Sequence, residues 1–188
     1  MNTTIYIKSM VCPRCISAVS QILYELNISY NSIKLGEVEL VSKLDDTEKA
    51  AFSKKLRSSG FSLIHDRKSR LIEQMKNLVV NRIHHSIEEF DIKWADDVTR
   101  ELSMDYKYLS SLFSTVEGIT FEQYIINQKI ERVKELMVYN ELSLSEIAYK
   151  LNYSSVSYLS NQFKKVTGMT PTQFKSCSIK NRRSLDEI

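Results

Sequence analysis

The chain has 188 residues, 43% of them hydrophobic, and 26 Lys and Arg against 23 Asp and Glu give a formal net charge of +3. That suffices for one or two small packed domains with real cores; no apolar run reaches membrane-spanning length, and no charged-then-apolar leader opens the sequence. Four glycines leave little material for a phosphate-cradling loop, and no Ser/His/Asp constellation or paired-carboxylate cleft stands out, so the chain is not expected to be an enzyme. Three cysteines, an odd number, suit a reducing cytoplasm better than a disulfide framework.

The first sixty-odd residues mix two periods. Thr3 to Ile7 alternates as a strand does, whereas residues 13–27 carry apolar side chains at helical spacing: Ile16, Val19, Ile22, Leu23 and Leu26. Two strands, 28–35 and 37–42, are expected to meet at Gly36. Asp45-Asp-Thr-Glu48 should cap a second helix reaching Ser59, and 60–64 should close as a strand. The order β-α-β-β-α-β predicts a ferredoxin-like split βαβ domain over residues 1–66.

At the turn from first strand to first helix stands Met10-Val-Cys12-Pro-Arg-Cys15. Two thiols at this spacing can converge on one soft ion, and a helix N-terminus should lower their pKa. The segment resembles the heavy-metal-associated domain, whose Met-x-Cys-x-x-Cys loop binds soft metals, and Gly60-Phe61 stands where that family places a Gly-aromatic pair. The resemblance implies Cys12 and Cys15 as metal ligands, with Cu(I) or Zn(II) as the candidate cofactor. Two sulfurs do not complete a tetrahedral zinc site, and Pro13 and Arg14 depart from the small polar residues common in copper carriers. Three alternatives stand beside metal sensing: a domain that keeps the fold for other work, a metal carrier, and a thiol-disulfide oxidoreductase. The last lacks both a thioredoxin-type βαβ order and a cis-proline candidate beside the pair, since the only prolines are Pro13 and Pro171.

No Gly, Pro or Ser-rich spacer follows Asp66. Residues 67–90 are expected to form a connecting helix, apolar through Leu71, Ile72, Met75, Leu78, Val79 and Ile83. The last three are assigned to the following helical domain, and the first three to the N-terminal domain or a second subunit. His84 and His85, being adjacent, point to different faces and are read as surface or interface residues.

The remainder repeats itself. Tyr108, Leu109, Ser110, Phe113, Val116, Gly118, Thr120 and Gln123 recur as Tyr158, Leu159, Ser160, Phe163, Val166, Gly168, Thr170 and Gln173, shifted by fifty. Upstream, Ala95, Val98, Thr99 and Leu102 align with Leu144, Ile147, Ala148 and Leu151, an i, i+3, i+4, i+7 stripe in each copy. Each copy therefore predicts a helix-turn-helix, with capping boxes at Ser143-Glu146, Thr120-Gln123 and Thr170-Gln173 and a left-handed stop at Gly118 and Gly168. The second helix of each pair buries Leu109, Leu112 and Phe113, or Leu159 and Phe163. Its other face is polar, which suits either a solvated surface or a major-groove reader.

From Ala95 to Phe174 the pattern resembles the AraC/XylS family of bacterial transcription regulators, through Tyr108-Leu-Ser-Ser-Leu-Phe113, Ile147-Ala-Tyr-Lys-Leu-Asn-Tyr153, Tyr158-Leu-Ser-Asn-Gln-Phe-Lys-Lys165 and Gly168-Met-Thr-Pro171. The resemblance implies an all-α domain over residues 91–176, two helix-turn-helix units joined by a long helix from Thr120 to about Tyr139. It implies double-stranded operator DNA as partner, with RNA polymerase and a second copy of the chain as further candidates. The family's base-contacting positions fall on Lys107, Ser110 and Ser111, then on Ser157, Ser160 and Asn161; Lys164 and Lys165 are better assigned to phosphates. Ser111 stands where many members carry Arg. Residues 177–188 form a basic tail through Lys180-Asn-Arg-Arg183 that either touches phosphate or stays disordered, and Cys177 is read as an incidental thiol.

Overall fold

The computed structural model describes residues 3–85 and 93–176. The chain folds as two compact units, Met1–Leu78 and Val79–Ile188.

The first unit is built from β1 (Thr3–Lys8), α1 (Pro13–Glu25), β2 (Tyr30–Lys34), β3 (Glu37–Leu40), α2 (Asp46–Ser58) and β4 (Ser62–Ile64). The strands form one antiparallel sheet in the order β2-β3-β1-β4, with Ile5 opposite Val38 and Ile7 opposite Leu63. Alternation in β1 sends Ile7 inward, into one core with Val19 and Leu23 of α1 and Phe52 and Leu56 of α2, all fully buried. Both helices begin where local chemistry favours it. Cys12 precedes α1 with extended backbone, and Pro13 supplies a preset φ at the first helical position. Asp45 and Glu48 form the expected reciprocal capping box on α2.

The connecting helix starts as α3 (Arg67–Val80) and passes into a π-helical turn, Asn81–His85; its expected continuation to residue 90 lies outside the described residues. Through its first three turns α3 is part of the sheet unit. Arg70 stacks over the Tyr6 ring at 5.0 Å, Glu73 Oε1 accepts from the Ser9 N–H at 2.8 Å, and Asn77 Nδ2 donates to the Leu35 carbonyl at 3.1 Å. Leu71, Ile72 and Met75 are buried there. The division between the units falls after Leu78, so Val79 and Ile83 lie in the second unit.

The second unit contains α4 (Trp94–Leu102), α5 (Tyr106–Glu117), α6 (Phe121–Tyr139), α7 (Leu144–Lys150), α8 (Val156–Thr167) and α9 (Pro171–Ser176). The repeat survives as packing. Phe113 meets Tyr124 at a ring separation of 5.4 Å, and the equivalent pair fifty residues on, Phe163 and Phe174, meets at 5.5 Å. Gly118 and Gly168 end their helices at φ +73° and +81°. Two details differ from expectation. Thr120 caps α6 in one direction only, accepting from Gln123 N–H while the Gln123 side chain bonds Asn127; at Thr170 the exchange with Gln173 is reciprocal. Thr99, placed on the apolar stripe of α4, is exposed, because this short helix needs only Val98 fully inside.

Gly36 is held at φ +76°, and a Cβ there would lie 2.2 Å from Asn77 Nδ2. Gly36→Ala should therefore cost about 2–3 kcal/mol in urea unfolding, from left-handed strain plus displacement of the Asn77 amide. Asn77→Ala removes the obstacle, so the double variant should lose less than the sum of the two single losses.

Candidate nucleic-acid interface

Helices α5 and α8 are set by their turns. In the first copy Ser103, left-handed at φ +51°, ends α4, and the Asp105 side chain caps α5 by accepting from Tyr108 N–H at 3.0 Å. In the second copy Asn152, also at φ +51°, follows α7, and Ser155 caps α8 through Tyr158 N–H at 3.0 Å. The side chains of Asp105 and Ser155 are thus consumed as caps.

Lys107, Ser110, Ser111 and Ser114 occupy i, i+3, i+4, i+7 of α5, and Ser157, Ser160, Asn161 and Lys164 occupy the same positions of α8. Each set is one helix face. Lys107, Ser111, Ser157, Lys164 and Lys165 are exposed, and Ser110 and Ser160 are half-buried at equivalent places. Asn161 is exposed like its counterpart Ser111. The Ser110 and Ser114 hydroxyls bond back to the carbonyls of Lys107 and Ser110, at 3.3 and 2.9 Å. Lys164 and Lys165 lie in the last turn of α8, where cations also complement the helix dipole. Tyr108 and Tyr158 are 46% and 53% exposed at equivalent positions of the two helices. The repeat pairs them in sequence; only the structure shows that both rings face solvent.

Helix α6 runs between the copies and is bonded to the π turn. His84 is 9% exposed, so it is not the surface histidine that adjacency with His85 suggested. Its Nε2 meets Gln128 Oε1 at 3.0 Å, Gln128 Nε2 donates to Tyr124 Oη at 3.1 Å, and His84 Nδ1 lies 3.6 Å from Glu135, which also accepts from Arg132 at 2.7 Å. Further along, Lys134 donates to Glu131 at 2.6 Å, and Lys129 reaches the Leu151 carbonyl at 2.9 Å, its pKa lowered by burial.

Cys12 and Cys15 lie in the other unit, both half-buried, with Sγ atoms 3.2 Å apart. The expected lowering of thiol pKa by the helix N-terminus does not hold for Cys15. Burial pushes its thiol up, the hydrogen bond with Cys12 adds to that, and backbone bonds around Val11 and Cys12 offset only part. Among the described residues, no three His, Cys, Asp or Glu side chains gather to hold a metal ion. Cys177 and the basic segment 180–183 lie outside the described residues.

Residues 98–176 match the helix-turn-helix domain family. The chain is 25% identical over 181 residues to the HTH-type transcriptional regulator YtdP of Bacillus subtilis, covering 93% of this chain and 23% of that protein. It is 31% identical over 109 residues to the transcriptional regulatory protein YesN of the same organism, covering 57% and 28%. The chain thus spans about a quarter of the length of these curated relatives. The C-terminal domain of AraT, a response regulator from Geobacillus stearothermophilus, superposes with a TM-score of 0.52 at 24% identity, over 63% of this chain and 95% of that one. An AraC-type regulator from Chromobacterium violaceum gives 0.51 at 16%, over 60% and 96%. Residues 98–176 thus carry a helix-turn-helix domain, and the chain shares the fold of these two solved structures over about three fifths of its length; a small four-stranded antiparallel sheet precedes the helical unit. No helix among the described residues is long and apolar enough to cross a membrane.

A raised pKa keeps Cys15 protonated to higher pH, and only the thiolate is alkylated. Site-resolved mass spectrometry of iodoacetamide labelling should show Cys15 slower than an unperturbed thiol at about pH 8, its rate still climbing above that. A plateau already reached at neutral pH would contradict the assignment.

Proposed function

We propose that the protein is a sequence-specific DNA-binding transcription regulator whose α5 and α8 enter successive major grooves of an operator about one helical turn apart. The observation that carries this reading is the duplicated face: the same four helical positions on two helices related by a fifty-residue repeat, with the first three exposed or half-buried alike. Lys107, Ser110 and Ser111 on one helix and Ser157, Ser160 and Asn161 on the other are the base-edge contacts, and Lys164 and Lys165 bind phosphate. Recruitment of RNA polymerase and pairing with a second copy belong to the same proposal, by similarity to transcriptional regulators.

The first unit is proposed to be a ferredoxin-like domain similar to the heavy-metal-associated domain, with the Cys12–Cys15 pair responding to a soft metal ion or to thiol chemistry. The strand order β2-β3-β1-β4 and the 3.2 Å sulfur separation support that reading. Cu(I), when bound, would draw on both thiols and displace their protons, so its affinity falls as pH falls. The loop is tied to α3, since Ser9, at φ +71° and three residues before Cys12, donates its N–H to Glu73. A shift of the cysteine loop therefore reaches the helix that leads on into the second unit's first residues.

Asn161→Ala should weaken a cognate site by about 1–3 kcal/mol and relax preference at one base pair, whereas Lys165→Ala should weaken all sequences alike and flatten the salt dependence. Fluorescence anisotropy on a selected operator and on single-base variants checks this; equal losses for both variants on every sequence would overturn the base-reading assignment. Cys12→Ser with Cys15→Ser should abolish any Cu(I) or oxidant effect on operator affinity and leave affinity without effector unchanged, because the reader has its own core. A normal response from the double variant would make the pair structural.

A further inference from the structure

We propose that the first unit carries a binding site for a small organic monocarboxylate with an apolar body, separate from the cysteine pair. The site is a partly open cavity of about 220 Å³ between the ends of β1 and β4, α2 and the first turn of α3. Its walls have two chemistries. Lys43, Lys49, His65 and Arg70 supply nitrogen donors, while half-buried Ile5, Leu44 and Leu63 supply apolar surface.

The charge is uncompensated at the site itself. No Asp or Glu lines the cavity among the described residues, although the chain as a whole nearly balances its charges. Arg70 is held by stacking on Tyr6 rather than by an acid, and its buried Nε–H has no hydrogen-bond partner. A buried guanidinium donor without an acceptor is costly, and a carboxylate answers both its charge and its geometry. A metal cation is excluded by the same charges. The volume is below the roughly 300 Å³ at which drug-sized ligands begin to fit, which restricts the ligand to a short acyl chain or a single ring. The apolar wall separates this site from a plain phosphate-binding patch, whose anion would gain nothing from Leu44 or Leu63.

Isothermal titration of the full chain with benzoate and hexanoate, with benzamide and inorganic phosphate as controls, tests the proposal, and methyl NMR locates the binding. Both carboxylates should bind saturably, compete with each other and shift the Leu63 and Leu44 signals, whereas benzamide and phosphate should bind at least about tenfold more weakly. Lys49→Gln and Arg70→Gln should each weaken benzoate severalfold. Lys49 is exposed on α2, so its variant decides the matter if Arg70→Gln unfolds the domain. Three results would each overturn the site: no saturable binding of either carboxylate, benzamide or phosphate binding as tightly as benzoate, or unchanged affinity in the Lys49→Gln protein. None of these measurements involves DNA, so the outcome is independent of the operator-binding proposal.

Discussion

The burial of α6 is the constraint on which the second unit turns. This helix packs against α5, α7, α8 and the π turn at once, so it has no broad solvent face on which to leave its polar residues. Gln128, Glu131 and Lys134 are all buried. Unpaired, each would cost more than a hydrogen bond is worth, and so each is answered from within reach: Gln128 by His84 and Tyr124, Lys134 by Glu131 one turn away. Such pairs add little net stability over apolar packing, but they tolerate few alternative registers. Between elements, His84 of the π turn bonds Gln128 and Lys129 donates to the Leu151 carbonyl after α7, and these two bonds fix the rotation of α6 and hold the two copies at one separation.

The copies are not identical, and the differences are physical. Apolar positions of α4 and α7 are related by a shift of forty-nine, from Val98 to Ile147 and Leu102 to Leu151, whereas α5 and α8 are related by fifty. The second turn therefore holds one more residue. The added residue is Ser154; before it stands Tyr153, which is buried, carries Lys129 over its ring at 5.2 Å, and has its phenol pushed up by burial. In the first turn half-buried Met104 takes the equivalent place, one residue after left-handed Ser103.

Much of this architecture is legible in the sequence because the signals are local. Asp45-Glu48 and Ser143-Glu146 form reciprocal caps, Gly118 and Gly168 form left-handed stops, and the apolar spacing of α1, α5 and α8 identifies their buried faces. What escapes a sequence reading is set by partners distant in the chain. His84 looks like half of a surface pair until Gln128, forty-four residues on, is brought beside it. Glu73 and Asn77 lie off the apolar stripe of α3, yet both are buried and bond the sheet unit, where a left-handed Ser9 and the turn at Gly36 leave backbone groups needing partners. The Cys15 thiol departs from expectation for a related reason: the helix N-terminus is a local feature, whereas the burial that outweighs it is made by the packed loop.

The chemistry of the reading faces bears on where specificity arises. On the proposed reading the base-edge contacts come from serines, one asparagine and one lysine, with no arginine to grip guanine by two hydrogen bonds. Each helix alone then discriminates weakly, while exposed lysines supply sequence-blind attraction to phosphate. Discrimination has to come from both grooves being read together, since linking two weak sites at a fixed span multiplies their selectivity without any new contact. That gain vanishes if the span is loose. On that reading the rotationally pinned α6 is as much a determinant of operator choice as Ser111 or Asn161, although none of its buried polar residues needs to touch a base.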